Sequence, residues 1–301
     1  MPELPDVELY LHCLRPRIGG KTIERAVIVS PFVLRTYDPP IDAIEERTVV
    51  ELRRMGKRIV LVLDDDLFVV IHLMIAGRFR WREPDAKPAR RSRVELAALV
   101  FDNGTLALVE AGTKKRASIH VVRGTAALAA HVRDGLKVLA IDRDAFAERL
   151  RSKSHTLKRA LTDPRLFSGI GNAYSDEILH RARLSPITLT GKLTEDEVTR
   201  LHRAVIDTLE HWTARLQAEI GAGFPGRGAV TAFRPGMAVH GKYGEPCPDC
   251  GVTVQRIVYA DRETNYCPQC QTGGRILADR SLSRLLRDDW PRRIEDLEEQ
   301  S

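Results

Sequence analysis

Near the end of the chain stand two cysteine pairs, Cys247-Pro248-Asp249-Cys250 and, sixteen residues on, Cys267-Pro268-Gln269-Cys270. No other stretch restricts the fold as tightly. Two C-x-x-C knuckles at this spacing supply four thiolates for one tetrahedral Zn²⁺. With every ligand a cysteine and no open coordination position, the ion is structural and does no chemistry. Two disulfides would use the same cysteines, but a cytosolic chain keeps its thiols reduced. Val252, Val254 and Arg256 to Tyr259 suggest two strands that meet near Asp261-Arg262, a zinc-clipped β-hairpin. The fifth cysteine, Cys13, sits in an apolar helical stretch and reads as a small buried hydrophobe.

Cytosolic placement rests on what the chain lacks. It has no run of 18 apolar residues, and its start has neither a basic n-region nor an apolar h-region. At 301 residues with 43% hydrophobic content it can build two or three domains with real cores. The net charge of +6, from 47 basic and 41 acidic residues, permits a nucleic-acid partner and proves none.

Residues 20 to about 125 read as β structure. Ala26 to Val29, Ile59 to Leu63, Phe68 to Ile71, Leu96 to Phe101 and Leu106 to Val109 are short apolar runs, punctuated by the turn sequences Asp64-Asp65-Asp66 and Asp102-Asn103-Gly104. A β-sandwich follows. Glu83 to Arg93, rich in charge and proline, reads as a loop. Two basic clusters, Arg53 to Arg58 around Lys57 and Thr113-Lys114-Lys115-Arg116, suit either a phosphate-contacting edge or a solvated strand end.

From about residue 145 the pattern turns helical. Ala145 to Leu150 and Leu157 to Leu161 precede Gly169-Ile170-Gly171-Asn172, after which Ala173 to Ala182 resumes; Thr194 to Glu197 is a capping box opening a helix to about Ile220. The two glycines and Asn172 could cradle a phosphate at a helix N-terminus or serve only as caps. The glycine-rich stretch Gly221 to Gly228 reads as a lid or a linker.

The first residues read either as a frayed terminus containing two prolines or as a nucleophile beside an acid. If an aminopeptidase removes Met1, the new terminus is the secondary amine of Pro2, with the Glu3 carboxylate one residue away. An α-amine titrates near pH 8, so part of it is uncharged at neutrality and can attack an electrophilic carbon to give an iminium. Pro5 suits a first helical turn, and Val7, Leu11 and Leu14 recur at helical spacing, so a helix starts beside the amine and disfavours its protonation.

Pro2-Glu3-Leu4-Pro5, Lys57 before a strand, Gly169-Ile170-Gly171-Asn172 between helices and the four-cysteine hairpin resemble, in order and spacing, the formamidopyrimidine-DNA glycosylase and endonuclease VIII family. The similarity runs from residue 2 to about 271. It implies an α+β fold: a catalytic β-sandwich over 2–130, a helix-two-turns-helix domain over 145–236 and a zinc finger over 237–274, with DNA held in the cleft between domains. Residues 275–301 extend past the usual end. Leu282, Leu285 and Leu286 at helical spacing, then Trp290-Pro291, suggest a helical tail packed back on the protein.

The resemblance also implies roles. Pro2 matches the nucleophile that attacks C1′ of a damaged nucleoside, and Glu3 the acid that protonates the opening sugar. Lys57, which is next in line as an amine nucleophile, matches a phosphate-binding residue, as do Lys158, Asn172 and the hairpin's Arg262. The implied activity is excision of oxidised bases from double-stranded DNA, followed by cleavage of the abasic strand, by a monomer with one structural zinc. A non-catalytic damage-binding protein on the same scaffold is the alternative, although it has no need of a free amine beside a carboxylate.

Three departures from the family pattern stand out. Asp6 replaces a more usual glutamate. Leu73-Met74-Ile75-Ala76 alters the loop before Gly77, and the loop from Thr113 to Ser118 lacks the Arg-Arg-Phe-Gly that wedges into the duplex. Met74 or Ile75 is therefore expected to fill the space of the extruded base. With Lys114 and Lys115 in place of a fork-shaped arginine, discrimination of the opposite base is expected to be weak.

Overall fold

The computed structural model describes residues 1–84, 93–133, 135–259, 262–278 and 291–298. The chain forms two compact units, Met1–Arg133 with Trp212–Ala232, and Asp134–His211 with Phe233–Ser301.

The first unit is the expected sandwich. Helix α1 (Leu4–Ile18) is followed by eight strands: β1 (Arg25–Ile28), β2 (Val49–Met55), β3 (Arg58–Leu63), β4 (Leu67–His72), β5 (Gly77–Arg82), β6 (Glu95–Phe101), β7 (Gly104–Glu110) and β8 (Ser118–Arg123). They make two four-stranded sheets, in the orders β1-β6-β7-β5 and β2-β3-β4-β8, and every pairing is antiparallel. Ile59, Leu61, Leu63, Val69 and Ile71 share one large core with Leu99, Leu106, Leu108 and the α1 residues Val7, Tyr10, Leu11 and Leu14. The alternate residues Val60, Phe68, Val70 and Val122 form a second cluster on the other face, against Leu128 of the short helix α2 (Thr125–Ala129). Burial on both faces explains why β3 and β4 read as unbroken apolar runs.

The apolar runs of the sequence do not mark β2, β5 and β8; in β2 and β5 charged residues interrupt the alternation. In β5, Gly77-Arg78-Phe79-Arg80-Trp81-Arg82, Phe79 is buried and Arg80 is exposed. Cys13 is buried, as expected.

The second unit contains β9 (Leu136–Lys137), α3 (Arg143–Arg151), α4 (Leu157–Thr162), β10 (Phe167–Ser168), α5 (Asn172–Arg181) and the first part of α6 (Glu195–Ile220), whose turns from Trp212 onward belong to the first unit. Short polar side chains start α3 and α6. Asp142 accepts from the Ala145 N–H at 2.8 Å, while the Glu197 N–H donates to Thr194 Oγ1 at 3.2 Å and the Thr194 N–H to Glu197 Oε2 at 2.9 Å, the reciprocal box read from the sequence. Phe146 of α3 stacks on Phe167, with centroids 4.8 Å apart.

The hairpin's strands are β11 (Gln255–Tyr259) and β12 (Arg262–Tyr266), so Val252 and Val254 precede the first strand and do not belong to it. Helix α7 (Pro268–Thr272) follows. The leucines expected to make the tail helical, with Trp290, lie outside the described residues. Beyond them, the chain returns as an antiparallel bridge between Arg275 and Arg293, and α8 (Ile294–Glu298) follows it.

Candidate active site and metal centre

Residues from three parts of the first unit surround the chain's start. Glu3 precedes α1, and the Asp6 carboxylate accepts from the Glu3 N–H at 2.8 Å while the Asp6 N–H turns to the Glu3 side chain. Asp6, the residue that departs from the family pattern, thus holds the helix start in place. Pro2, Glu3 and Asp6 are all buried. With Met1 in place, the terminal amine is held below its ordinary value of 8.0, first by burial and then by the nearby Arg78 and Lys57 guanidinium and ammonium groups, against the pull of Glu3 and Asp6. A depressed amine is more fully uncharged at neutral pH and so more nucleophilic. Lys57 stands in the tight turn between β2 and β3, where Gly56 takes a positive φ of 65°.

Arg78 was not singled out from the sequence. Its guanidinium donates to the carbonyls of Ile75 (3.0 Å), Gly77 (2.7 Å) and Val230 (2.8 Å), so one cation ties the Met74-Ile75 turn to a distant stretch of chain and also lies near the amine. The one available signal was an arginine directly after the loop glycine, which is too common to stand out.

The turn itself separates the three apolar residues. Leu73 is buried, Met74 is half-buried in the left-handed region at φ 53°, and Ile75 is 56% exposed. The Gly77 N–H closes the turn on Leu73 O at 2.9 Å, and a Cβ on Gly77 would sit 2.3 Å from that oxygen, so glycine is required here. The second basic loop closes on a buried carboxylate: Glu110 Oε2 accepts from the N–H groups of Arg116 (2.8 Å) and Ala117 (3.0 Å). Lys115 Nζ donates to the Glu110 carbonyl, whereas Lys114 is exposed.

In the second unit, Asn172 opens α5 as its first residue, and Gly171 takes the cap position. The Asn172 side-chain amide donates to Glu263 O at 2.9 Å, and the Asn172 backbone carbonyl accepts from Lys158 Nζ at 2.7 Å. Lys158 also meets the fully buried Asp176 at 2.5 Å, and Asp176 in turn meets His240 Nδ1 at 2.7 Å. The Lys158 side chain is only 14% exposed, with two of its three N–H groups committed. Glu177, next along α5, accepts three backbone N–H groups in a row, from Ala238 (2.7 Å), Val239 (3.0 Å) and His240 (2.9 Å). Sequence reasoning missed this Lys158-Asp176-His240 network and the Glu177 clamp. Arg262 opens β12 opposite Tyr259.

Cys247, Cys250, Cys267 and Cys270 converge, with their sulfurs all within 4.8 Å of one another. Sγ separations are 3.9 Å for Cys247 to Cys270 and 3.4 Å for Cys250 to Cys267, and all four thiols are free of disulfides. A tetrahedral ion with Zn–S bonds of about 2.3 Å sets sulfurs about 3.8 Å apart, so the site fits one structural zinc.

Three family models match the chain: the formamidopyrimidine-DNA glycosylase N-terminal domain over residues 1–117, the corresponding H2TH domain over 137–220, and the zinc finger found in FPG and IleRS over 244–273. The formamidopyrimidine-DNA glycosylase of Chloroflexus aurantiacus is 34% identical, over 90% of this chain and 98% of that protein. That of an Exiguobacterium species is 31% identical, over 90% and 99%. Among solved structures, Lactococcus lactis Fpg in complex with DNA containing an abasic site superimposes with a TM-score of 0.78 at 26% identity, over 90% of this chain and 99% of that one. MutM with DNA containing carbocyclic 8-oxo-G also gives 0.78, at 27% identity, over 90% and 100%.

Proposed function

Because the chain belongs to the formamidopyrimidine-DNA glycosylase family, we propose that it is a bifunctional DNA glycosylase and abasic-site lyase of base excision repair. It removes oxidised bases through an iminium on Pro2. Solved relatives hold DNA with an abasic site, with Fapy-dG and with an oxidised pyrimidine, which supports this substrate class. The observation that carries the reading is the setting of the N-terminus: Pro2 and the Glu3 carboxylate are buried, and the amine that Met1 carries there is held below its ordinary value, first by burial and then by Arg78 and Lys57.

Stacked in the duplex, C1′ is out of reach of a protein amine, so the nucleotide must first be extruded. The Pro2 nitrogen then bonds to C1′ as the bond from C1′ to the base breaks, and Glu3 protonates the ring oxygen as the sugar opens. The iminium acidifies the C2′ proton, and loss of that proton expels the 3′ phosphate. Water hydrolyses the iminium and restores the amine. Lys57, Asn172, Lys158 through its third N–H, Lys114, Lys115 and Arg262 are assigned to phosphates, and Ile75, with Met74 beside it, to the space left by the base. The partner is double-stranded DNA bearing damaged bases or abasic sites, met by a monomer in the cytoplasm. The domain division 2–130, 145–236, 237–274 and 275–301 is part of the proposal, and the spans of the three family models support its first three parts.

The test is borohydride trapping on abasic-site DNA with intact-mass analysis. A chain beginning at Pro2 should cross-link, and one with Met1 retained should not; undiminished trapping with a blocked terminus would move the nucleophile elsewhere, Lys57 first. Glu3→Gln should bind DNA without excising bases. Normal excision by that variant would remove Glu3 from the mechanism.

A further inference from the structure

Asn172, Asp176 and His180 are spaced four apart and form one stripe along α5. Each reaches the segment that carries the cysteines. Asn172 donates to Glu263 O (2.9 Å) in the hairpin, Asp176 meets His240 Nδ1 (2.7 Å) just before the first knuckle, and His180 Nε2 lies 3.3 Å from Cys247 Sγ. The first two contacts belong to the site already described. The third is an imidazole, 4% exposed, against a metal-binding sulfur, and the proposed catalysis does not use it.

Four thiolates around one Zn²⁺ leave a formal charge of −2, and here it is packed against apolar neighbours, Val239 and Val254. N–H donors to the sulfurs spread that charge and hold each ligand in place. Backbone groups serve two of them: Val252 N–H for Cys250, and Cys270 N–H for Cys267 at 3.4 Å. For Cys247, 2% exposed, the imidazole is the donor at hand. Asp249 Oδ2 competes for the same Nε2 but stands at 4.0 Å, beyond hydrogen-bond range, and its side chain is half open to water. His180 can therefore donate an Nε2–H hydrogen bond to the sulfur as a neutral ring.

We propose that His180 is a positioning residue of the zinc centre, donating Nε2–H to the Cys247 thiolate and so fastening the C-terminal end of α5 to the metal while Asn172 fastens its N-terminal end to the hairpin. This rests on the four-cysteine zinc site and is independent of the DNA chemistry. Its consequence is a mechanical link, in which loss of zinc frees one end of the helix whose other end carries Asn172.

Zinc release from the full-length, zinc-loaded protein to the chromogenic chelator 4-(2-pyridylazo)resorcinol tests the proposal. His180→Phe keeps a ring but has no donor, and should release zinc about 10-fold faster or more. His180→Gln places an amide N–H near the same point and should restore most of the wild-type rate. Release from His180→Phe as slow as wild type, or from His180→Gln as fast as His180→Phe, would overturn the assignment. The wild type provides a check that needs no variant. In protein substituted with cadmium-113, nitrogen-15 spectra of the imidazole should show a neutral ring protonated on Nε2, with coupling to the metal across the N–H···S bond. An Nε2 bound to cadmium would make His180 a ligand, and an unprotonated Nε2 would leave it no proton to donate. Either result refutes the proposal.

Discussion

Ile75→Ala should leave the fold intact while weakening the protein's hold on an extruded nucleotide. Ile75 is 56% exposed at the tip of the β4-β5 turn, so truncation removes few buried contacts and stability should change by no more than about 0.5 kcal/mol. In a duplex gap the same side chain would leave water. Full burial of an isoleucine is worth about 1.5–3 kcal/mol, and the share still exposed here scales that to about 1–2 kcal/mol, or roughly 5- to 30-fold in an equilibrium constant. Met74 starts half-buried at φ 53°, so it has less area to offer and an unfavourable backbone to maintain. The assay is single-turnover excision of one lesion, with a fluorescent base analogue opposite it reporting extrusion. Ile75→Ala should lose extrusion by that factor and Met74→Ala by less. Wild-type extrusion by Ile75→Ala, or a larger loss in Met74→Ala, would refute the reasoning.

Cys267→Ser should lose zinc and raise amide exchange across β11 and β12, with weaker DNA binding, because a structural metal contributes folding free energy directly; retained zinc and unchanged exchange would contradict it. Glu177→Ala strips the acceptor from three consecutive N–H groups and should cost at least about 3 kcal/mol locally, read as faster exchange at Ala238, Val239 and His240; unchanged protection there would rule out the clamp. His72 and His120 are lowered from 6.5 to about 4, mainly by burial and then by neighbouring positive or titratable groups, Arg58 for His72 and His131 for His120. The unfolded chain therefore takes up more protons as pH falls, and stability present above pH 6.5 is lost progressively toward pH 4. The urea midpoint should fall between pH 7 and 5 by less in a His72→Gln, His120→Gln double variant than in wild type, and equal falls would remove these two groups as the cause. Excision of one lesion opposite each of the four bases should differ little, since Lys114 and Lys115 stand in place of a fork-shaped arginine; strong preference for cytosine would contradict this.

Features set by a few adjacent residues were legible in the sequence. C-x-x-C spacing fixes four sulfurs within one short hairpin, Pro5 marks where α1 begins, Thr194 and Glu197 box the start of α6, and the turns Asp64-Asp65-Asp66 and Asp102-Asn103-Gly104 join β3 to β4 and β6 to β7. Each depends on contacts a few residues apart, so a local pattern is enough. Side-chain roles that depend on distant chain were hidden. The resemblance assigns Lys158 to a phosphate, and only the packing of α4, α5 and residue 240 gives it a buried carboxylate. Arg78 is one arginine among many until the fold brings the chain's start beside it. Leu73, Met74 and Ile75 are chemically alike in sequence, and the Gly77 turn decides that the first is core and the third faces solvent. His180 reads as a helix residue of no note, and the return of residue 247 against α5 sets it on a sulfur. Local spacing fixes which groups are present and where elements begin; which of those groups meet is decided by long-range packing, because charge, burial and hydrogen-bond partners are properties of the folded neighbourhood.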